Sequence, residues 1–282
     1  MSIRRVFVTA WAMLRQRFWV LAGMWAAFFA IQTAASVVLG IAGMAAGAAG
    51  AASFGAALED PAALAGMGIG MLAFMVLFYG AYLVTLLAQQ AAMVTLASPL
   101  EEPDFGAALA RGFRSALPFG AITLGLGLGY AALAAVTSAV AAAAAGPVGA
   151  LLTLPVLPAM VWLGCRLAVL IPVVAVDRAY NPMAAIRRCW AVTRGKAGAI
   201  LLALLGLGGV MLALFGLPLA LLIAVLVAAQ DKLFWTIAVV IIGALLFLPV
   251  LLGFTLYVSA FIAALHAEVT DGGAEALEEV FA

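Results

Sequence analysis

Fifty consecutive residues, Ala116 to Cys165, carry no charged side chain. Runs of this kind recur from Phe18 to Leu58, Pro61 to Leu100 and Ala197 to Gln230, and again from Leu233 onward. Soluble domains hold about 25% charged residues; this chain of 282 residues holds 9%, against 68% apolar residues. That balance excludes a soluble globular enzyme, a nucleic-acid-binding domain and a disordered tail protein. The formal net charge is +1, so any anionic partner must be selected by where the charges lie. Cys165 and Cys189 form no CxxC pattern and no disulfide framework.

A helix crossing a hydrocarbon core of roughly 30 Å needs about 20 apolar residues. On that length the uncharged runs divide into six spans, at about 18–45, 66–97, 117–144, 149–175, 198–229 and 233–266. Gly146-Pro147 divides the longest run, and Asp231-Lys232 separates the last two spans. The fold class expected is all-α. It is a single integral membrane domain of six transmembrane helices, with amphipathic surface helices at 2–17, 104–117 and 181–194. Residues 267–282 form a short acidic tail.

Cytoplasmic connections retain Lys and Arg. Eleven of the thirteen basic residues fall before the first span or in the 98–116 and 177–197 connections. Lys232 alone lies in an opposite-side connection, and Arg166 lies within a span. Both termini are therefore expected in the cytoplasm. The run after Arg17 is far longer than the 7–15 apolar residues of a cleaved signal, so no cleavage is expected.

The basic connections show helical periodicity. Ile3, Val6, Phe7, Ala10, Trp11, Leu14 and Phe18 share one stripe, with Arg4, Arg5 and Arg15 off it. Phe105, Leu109, Phe113 and Leu117 step by four after Asp104, a candidate N-cap, and Arg111 and Arg114 fall on the far face. Asn181 is positioned to cap, Pro182 to occupy the first helical position and Gly195 to stop the helix. Basic amphipathic helices of this kind lie among anionic headgroups. The candidate headgroup or partner contacts are Arg111, Arg114, Asp177, Arg187, Arg188, Trp190, Arg194 and Lys196. An offset of 77 residues superposes Ala107–Phe113 on Ala184–Trp190 and Gln89 on Arg166, which predicts a repeat of one surface helix plus two spans. Its units share one orientation, unlike the inverted repeats of many transporters.

The run Arg166-Leu-Ala-Val-Leu-Ile-Pro172-Val-Val-Ala-Val-Asp177, continued by Ala184-Ala-Ile-Arg-Arg-Cys-Trp-Ala-Val-Thr-Arg-Gly195, resembles a known motif. It is similar to the membrane domain of glycerophosphoryl diester phosphodiesterases and the related YciC-type bacterial inner-membrane proteins. Ile186 stands where that family usually has Leu, and Cys189 where it usually has Ser. The resemblance implies a six-helix protein of the bacterial inner membrane without assigned activity. In the named enzymes catalysis belongs to a separate soluble barrel, for which the chain after the sixth span has no room.

Arg166, Gln89 and Gln90 are the candidate intramembrane polar site. If the fourth span is straight, Arg166 sits about 16 Å from Asp177, near mid-membrane, where it lines a cavity or meets an anion. If Pro172 bends the span, Arg166 snorkels to the interface. Pro155, Pro158 and Pro172 make this span the least regular. Gln89 and Gln90 suit interhelical hydrogen bonds. Glu101, Glu102 and Asp177 open connections and suit helix capping. His266 and Glu268 are two apart and share no helix face. No catalytic template is present, and no catalytic residue, cofactor or metal site is expected. The reading is a non-catalytic membrane protein binding anionic lipid headgroups or a membrane partner through a basic cytoplasmic face. The alternative is a transporter or channel-like protein with Arg166 and the fourth span lining the pathway.

Overall fold

The computed structural model describes residues 1–57, 61–144, 156–228 and 233–270, and every regular element among them is helical. In chain order these are α1 Ile3–Ala57, α2 Pro61–Ala97, α3 Phe105–Ala144, α4 Val156–Leu167, α5 Leu170–Ala175, α6 Pro182–Val192, α7 Ala197–Met211, α8 Leu217–Ala228 and α9 Leu233–Val269. A π-helical turn at Leu212–Gly216 joins α7 to α8. Six stretches among the described residues are long and apolar enough to cross a membrane: Ile3–Ile41, Val76–Ala97, Phe105–Val140, Pro158–Ala175, Ala197–Val225 and Leu245–Val269. The chain is a multi-pass helical bundle. Helices suit such a chain because lipid offers the backbone no hydrogen-bond partner, so every amide must be satisfied internally.

Several boundaries differ from those expected. The first two surface helices are not separate elements. Residues 2–17 run into α1 across a kink at Arg17 (φ −113°, ψ 17°). Residues 104–117 run into α3, which passes through Pro118 without ending. Only the third surface helix stands alone, as α6, and it follows its local signals. Asn181 Oδ1 accepts from the amides of Met183 and Ala184, Pro182 is the first helical residue, and Gly195 adopts φ +74°. That positive φ is where only glycine is unstrained. The proposed repeat thus joins a fused surface helix to a free one. The fourth span breaks between Leu167 and Leu170. Pro172 supplies no N–H to the carbonyl of Ala168, so the helix loses its bond at that place. Residues 149–155 and the tail from 271 lie outside the described residues.

The core gathers at one end of the bundle. Val6 to Phe28 of α1, Leu87 to Ala97 of α2, Val169 to Val176 around α5, and Leu256 to Val269 of α9 supply most of the buried side chains. Phe7 packs edge-on against Phe261, and Phe28 against Phe113. Helices α2 and α3 approach closely at Gly112. A Cβ there would stand 2.5 Å from the Ala88 carbonyl oxygen and 2.9 Å from the Ala92 Cβ. The same end holds the basic connections and positions the candidate site.

Candidate functional site

Polar clamps tie α1, α2, α3, α6 and α9 together at this end. At the α1 kink, Arg17 Nη1 donates to the carbonyls of Leu96 (2.7 Å), Ser98 (3.3 Å) and Glu101 (3.5 Å). Its Nη2 meets Glu102 Oε1 at 3.1 Å. The guanidinium thereby satisfies carbonyls that the end of α2 leaves unpaired. Glu101 in turn accepts from Arg111 of α3 and lies 3.5 Å from Arg178 Nη2. One carboxylate so ties the 98–104 connection to the 176–181 connection.

A second clamp centres on Asp177. Its Oδ2 accepts from Arg188 Nε at 3.2 Å, and its Oδ1 lies 3.4 Å from Nε2 of the buried His266 on α9. Burial pushes the Asp177 carboxyl up, but His266 and Arg188 outweigh it and hold the group below its ordinary value. Cys189 is fully buried beside this cluster. Burial, and then the charge of Asp177, push its thiol up to about 12. A thiol held protonated is no nucleophile. The chain's start and the end of α9 close the ring: Glu268 accepts from the Ser2 amide at 2.7 Å and pairs with Arg5 at 3.6 Å. Lys196 Nζ donates to the Val269 carbonyl at 2.7 Å.

Arg166 stands just before the break in the fourth span. Its Nη1 donates to the Trp190 carbonyl at 3.3 Å and the Thr193 hydroxyl at 3.5 Å, at the C-terminal end of α6. The guanidinium stacks over the rings of Trp162 (5.2 Å) and Trp190 (5.1 Å). The two indoles meet edge-on, 5.1 Å apart. A cation at a helix C-terminus and over two indole faces is doubly stabilised. Its Nε is buried without a partner. Arg166 therefore anchors α4 to α6, and it is absent from the linings of the 790 Å³ groove beside α1 and the 460 Å³ groove between α8 and α9. Gln89 is buried and accepts from Gln32 Nε2 at 3.0 Å, an interhelical bond between α1 and α2. Gln90 is half-buried beside it. The expected grouping of Arg166 with the two glutamines does not form.

Asp104 and Asn181 cap as expected, whereas the other acidic residues act differently. Asp104 caps α3 by accepting from the Ala107 amide, and Asn181 caps α6. Glu101, Glu102 and Asp177 serve as ion-pair acceptors instead. Of the expected headgroup contacts, Arg111, Arg188 and Asp177 are held in internal pairs and Trp190 is held by Arg166. Lys196 is tied to α9. Arg114, Arg187 and Arg194 are exposed and, with Arg4 and Arg15, have no acidic partner among the described residues. Arg17, His266 and Glu101 were not singled out from sequence as site residues. Their partners lie 85, 89 and 77 residues away in Glu102, Asp177 and Arg178, so no local pattern announces them.

No family model, no curated protein and no solved structure matches the chain. The likeness drawn from residues 166–195 rests on those residues alone.

Proposed function

We propose that the protein is a non-catalytic multi-pass protein of the bacterial inner membrane that binds anionic phospholipid headgroups at its cytoplasmic face. The observation that carries this is the sorting of arginines at one end of the bundle. Six arginines (Arg5, Arg17, Arg111, Arg166, Arg178 and Arg188) hold the fold together through carboxylates or carbonyls. Five others, Arg4, Arg15, Arg114, Arg187 and Arg194, stand exposed around them without an acidic partner among the described residues. Structural demand for positive charge is met by the first group. The second group is surplus, and a surplus of cations beside a bilayer attracts anionic lipid at about 1 kcal/mol per residue.

The positive-inside bias supports a cytoplasmic position for this end, in keeping with both termini on that side. The Arg166 clamp supports a scaffold role over a transport pathway, since its Nη1 is engaged by α6 and its guanidinium lies over the rings of Trp162 and Trp190.

The test is the relative affinity of the reconstituted protein for phosphatidylglycerol over phosphatidylcholine, read by quenching of tryptophan fluorescence with brominated lipids. The expected ratio exceeds one in low salt, falls toward one in 1 M salt (a Debye length of about 3 Å), and falls at least tenfold in the Arg114→Gln/Arg187→Gln/Arg194→Gln variant. A ratio of one under both salt conditions contradicts the proposal.

A further inference from the structure

Between α1, α7 and α9 lies a groove of 790 Å³. Trp11, Phe18 and Trp19 form its α1 wall, Val210 and Leu214 a second, and Gly253, Phe254 and Tyr257 the third. All of this lining is apolar or aromatic except for Arg15 and the Tyr257 hydroxyl. On the α1 wall Arg15 lies between Trp11 and Trp19, four residues (about one helical turn) from each. A second apolar groove of 460 Å³ between α8 and α9 shares Leu214 and Val250 with the first. The two grooves adjoin at these residues. Leu214 sits in the π-helical turn, which widens the α7–α8 wall at the junction.

This is an amphiphile's outline. Arg15 is exposed and has no acidic partner among the described residues, and it is the charged group of the lining. Trp11 and Trp19, 56% and 82% exposed, are the aromatic type that settles at headgroup depth. Beyond them the lining offers only hydrocarbon and ring faces. A peptide would leave its backbone amides unpaired along such a wall, whereas an acyl chain has none to satisfy. At Gly253 no atom lies within 4 Å of where a Cβ would stand, so the groove is open to the depth an acyl chain needs.

We propose that this groove holds one anionic phospholipid of the surrounding bilayer, its phosphate at Arg15 and an acyl chain along Leu214 and Val250. The inference deepens the headgroup-binding reading and shares its membrane placement, but it assigns a discrete site distinct from the exposed arginines of α3 and α6.

The experiment uses the full chain in vesicles with phosphatidylglycerol carrying a diazirine in its acyl chain, followed by peptide mapping. Label concentrated at residues 210–214 and 250–257 is expected, and label spread evenly over the lipid-facing helices overturns the site. In native mass spectrometry of the detergent-solubilised protein, one phosphatidylglycerol per chain should survive delipidation. Gly253→Trp, which fills the groove, should lower its occupancy at least tenfold, and unchanged occupancy overturns the site. Arg15→Gln should bring phosphatidylcholine level with phosphatidylglycerol at this position while the acyl labelling stays in place. A headgroup preference that persists in the quenching assay while the groove goes unlabelled removes this site alone; loss of both removes the wider proposal as well.

Discussion

Within α9, Leu256, Ala260, Phe261, Ala264 and Leu265 are buried, while Leu245, Leu246, Leu248 and Leu251 of the same helix are exposed. Helix α2 repeats the contrast, with Ala91 to Ala97 buried and Val76, Leu77, Tyr79 and Tyr82 exposed. The two ends are equally apolar, so hydropathy does not decide which one packs. In lipid an apolar face gains nothing by leaving its surroundings for another apolar face. What differs is polar chemistry. The packed end is where Arg17, Glu101, Asp177 and Arg166 tie connections and helix ends together. Among the described residues the open end holds no ion pair, and Val76, Leu77, Leu245 and Leu246 face outward.

Substitutions that break this contrast should fall in a definite order. Arg17→Ala removes a half-buried cation and leaves the Leu96 carbonyl and its neighbours unpaired. Hydrogen bonds to charged groups contribute about 1.5–3 kcal/mol, so a loss of about 3 kcal/mol is expected in denaturant titration of the detergent-solubilised protein. Glycine-to-alanine changes at the two ends sharpen the comparison by opposite signs. Gly112→Ala drives a methyl onto the Ala88 carbonyl and should destabilise by about 1–3 kcal/mol, as overpacking does. At Gly125, where nothing lies within 4 Å, the same change should be neutral or stabilising by up to about 1 kcal/mol from helix propensity. Equal effects at both positions would erase the distinction.

The smallest effect is pH-dependent. Because the Asp177 carboxyl titrates lower in the folded protein than its ordinary value of 3.8, its stabilisation is complete above that value. It is lost as pH falls below 3.8 toward the depressed native value. Asp177→Asn should flatten that segment of the acid-unfolding curve while leaving the rest of the curve unchanged in shape.

The spans and the isolated α6 were legible because their causes are local. Six apolar runs, an Asn181 cap, a Pro182 start and a Gly195 stop all act within a few residues of where they stand. The polar clamps were not legible, because each joins residues brought together only by the bundle. Arg17 looked like one more topology signal, and nothing near it in sequence points to Leu96. The placement of Arg166 turned on whether the fourth span broke at Ala168 and on where α6 lay against it. Pro172 announced the first and nothing announced the second. The 77-residue repeat matched composition rather than role: Gln89 bonds Gln32 between spans, whereas Arg166 holds a surface helix. The groove beside α1 was invisible for the same reason, since its walls come from three distant segments.

The central claim is that the arginine-rich, packed end faces the anionic cytoplasmic leaflet. Cys165 and Cys189 are buried, which leaves them shielded from thiol reagents, so a cysteine placed at exposed Arg187 in α6 can be probed with a membrane-impermeant maleimide on intact spheroplasts. The account predicts no labelling until the membrane is permeabilised, and full labelling afterwards. Labelling of intact spheroplasts would put this end outside and contradict it.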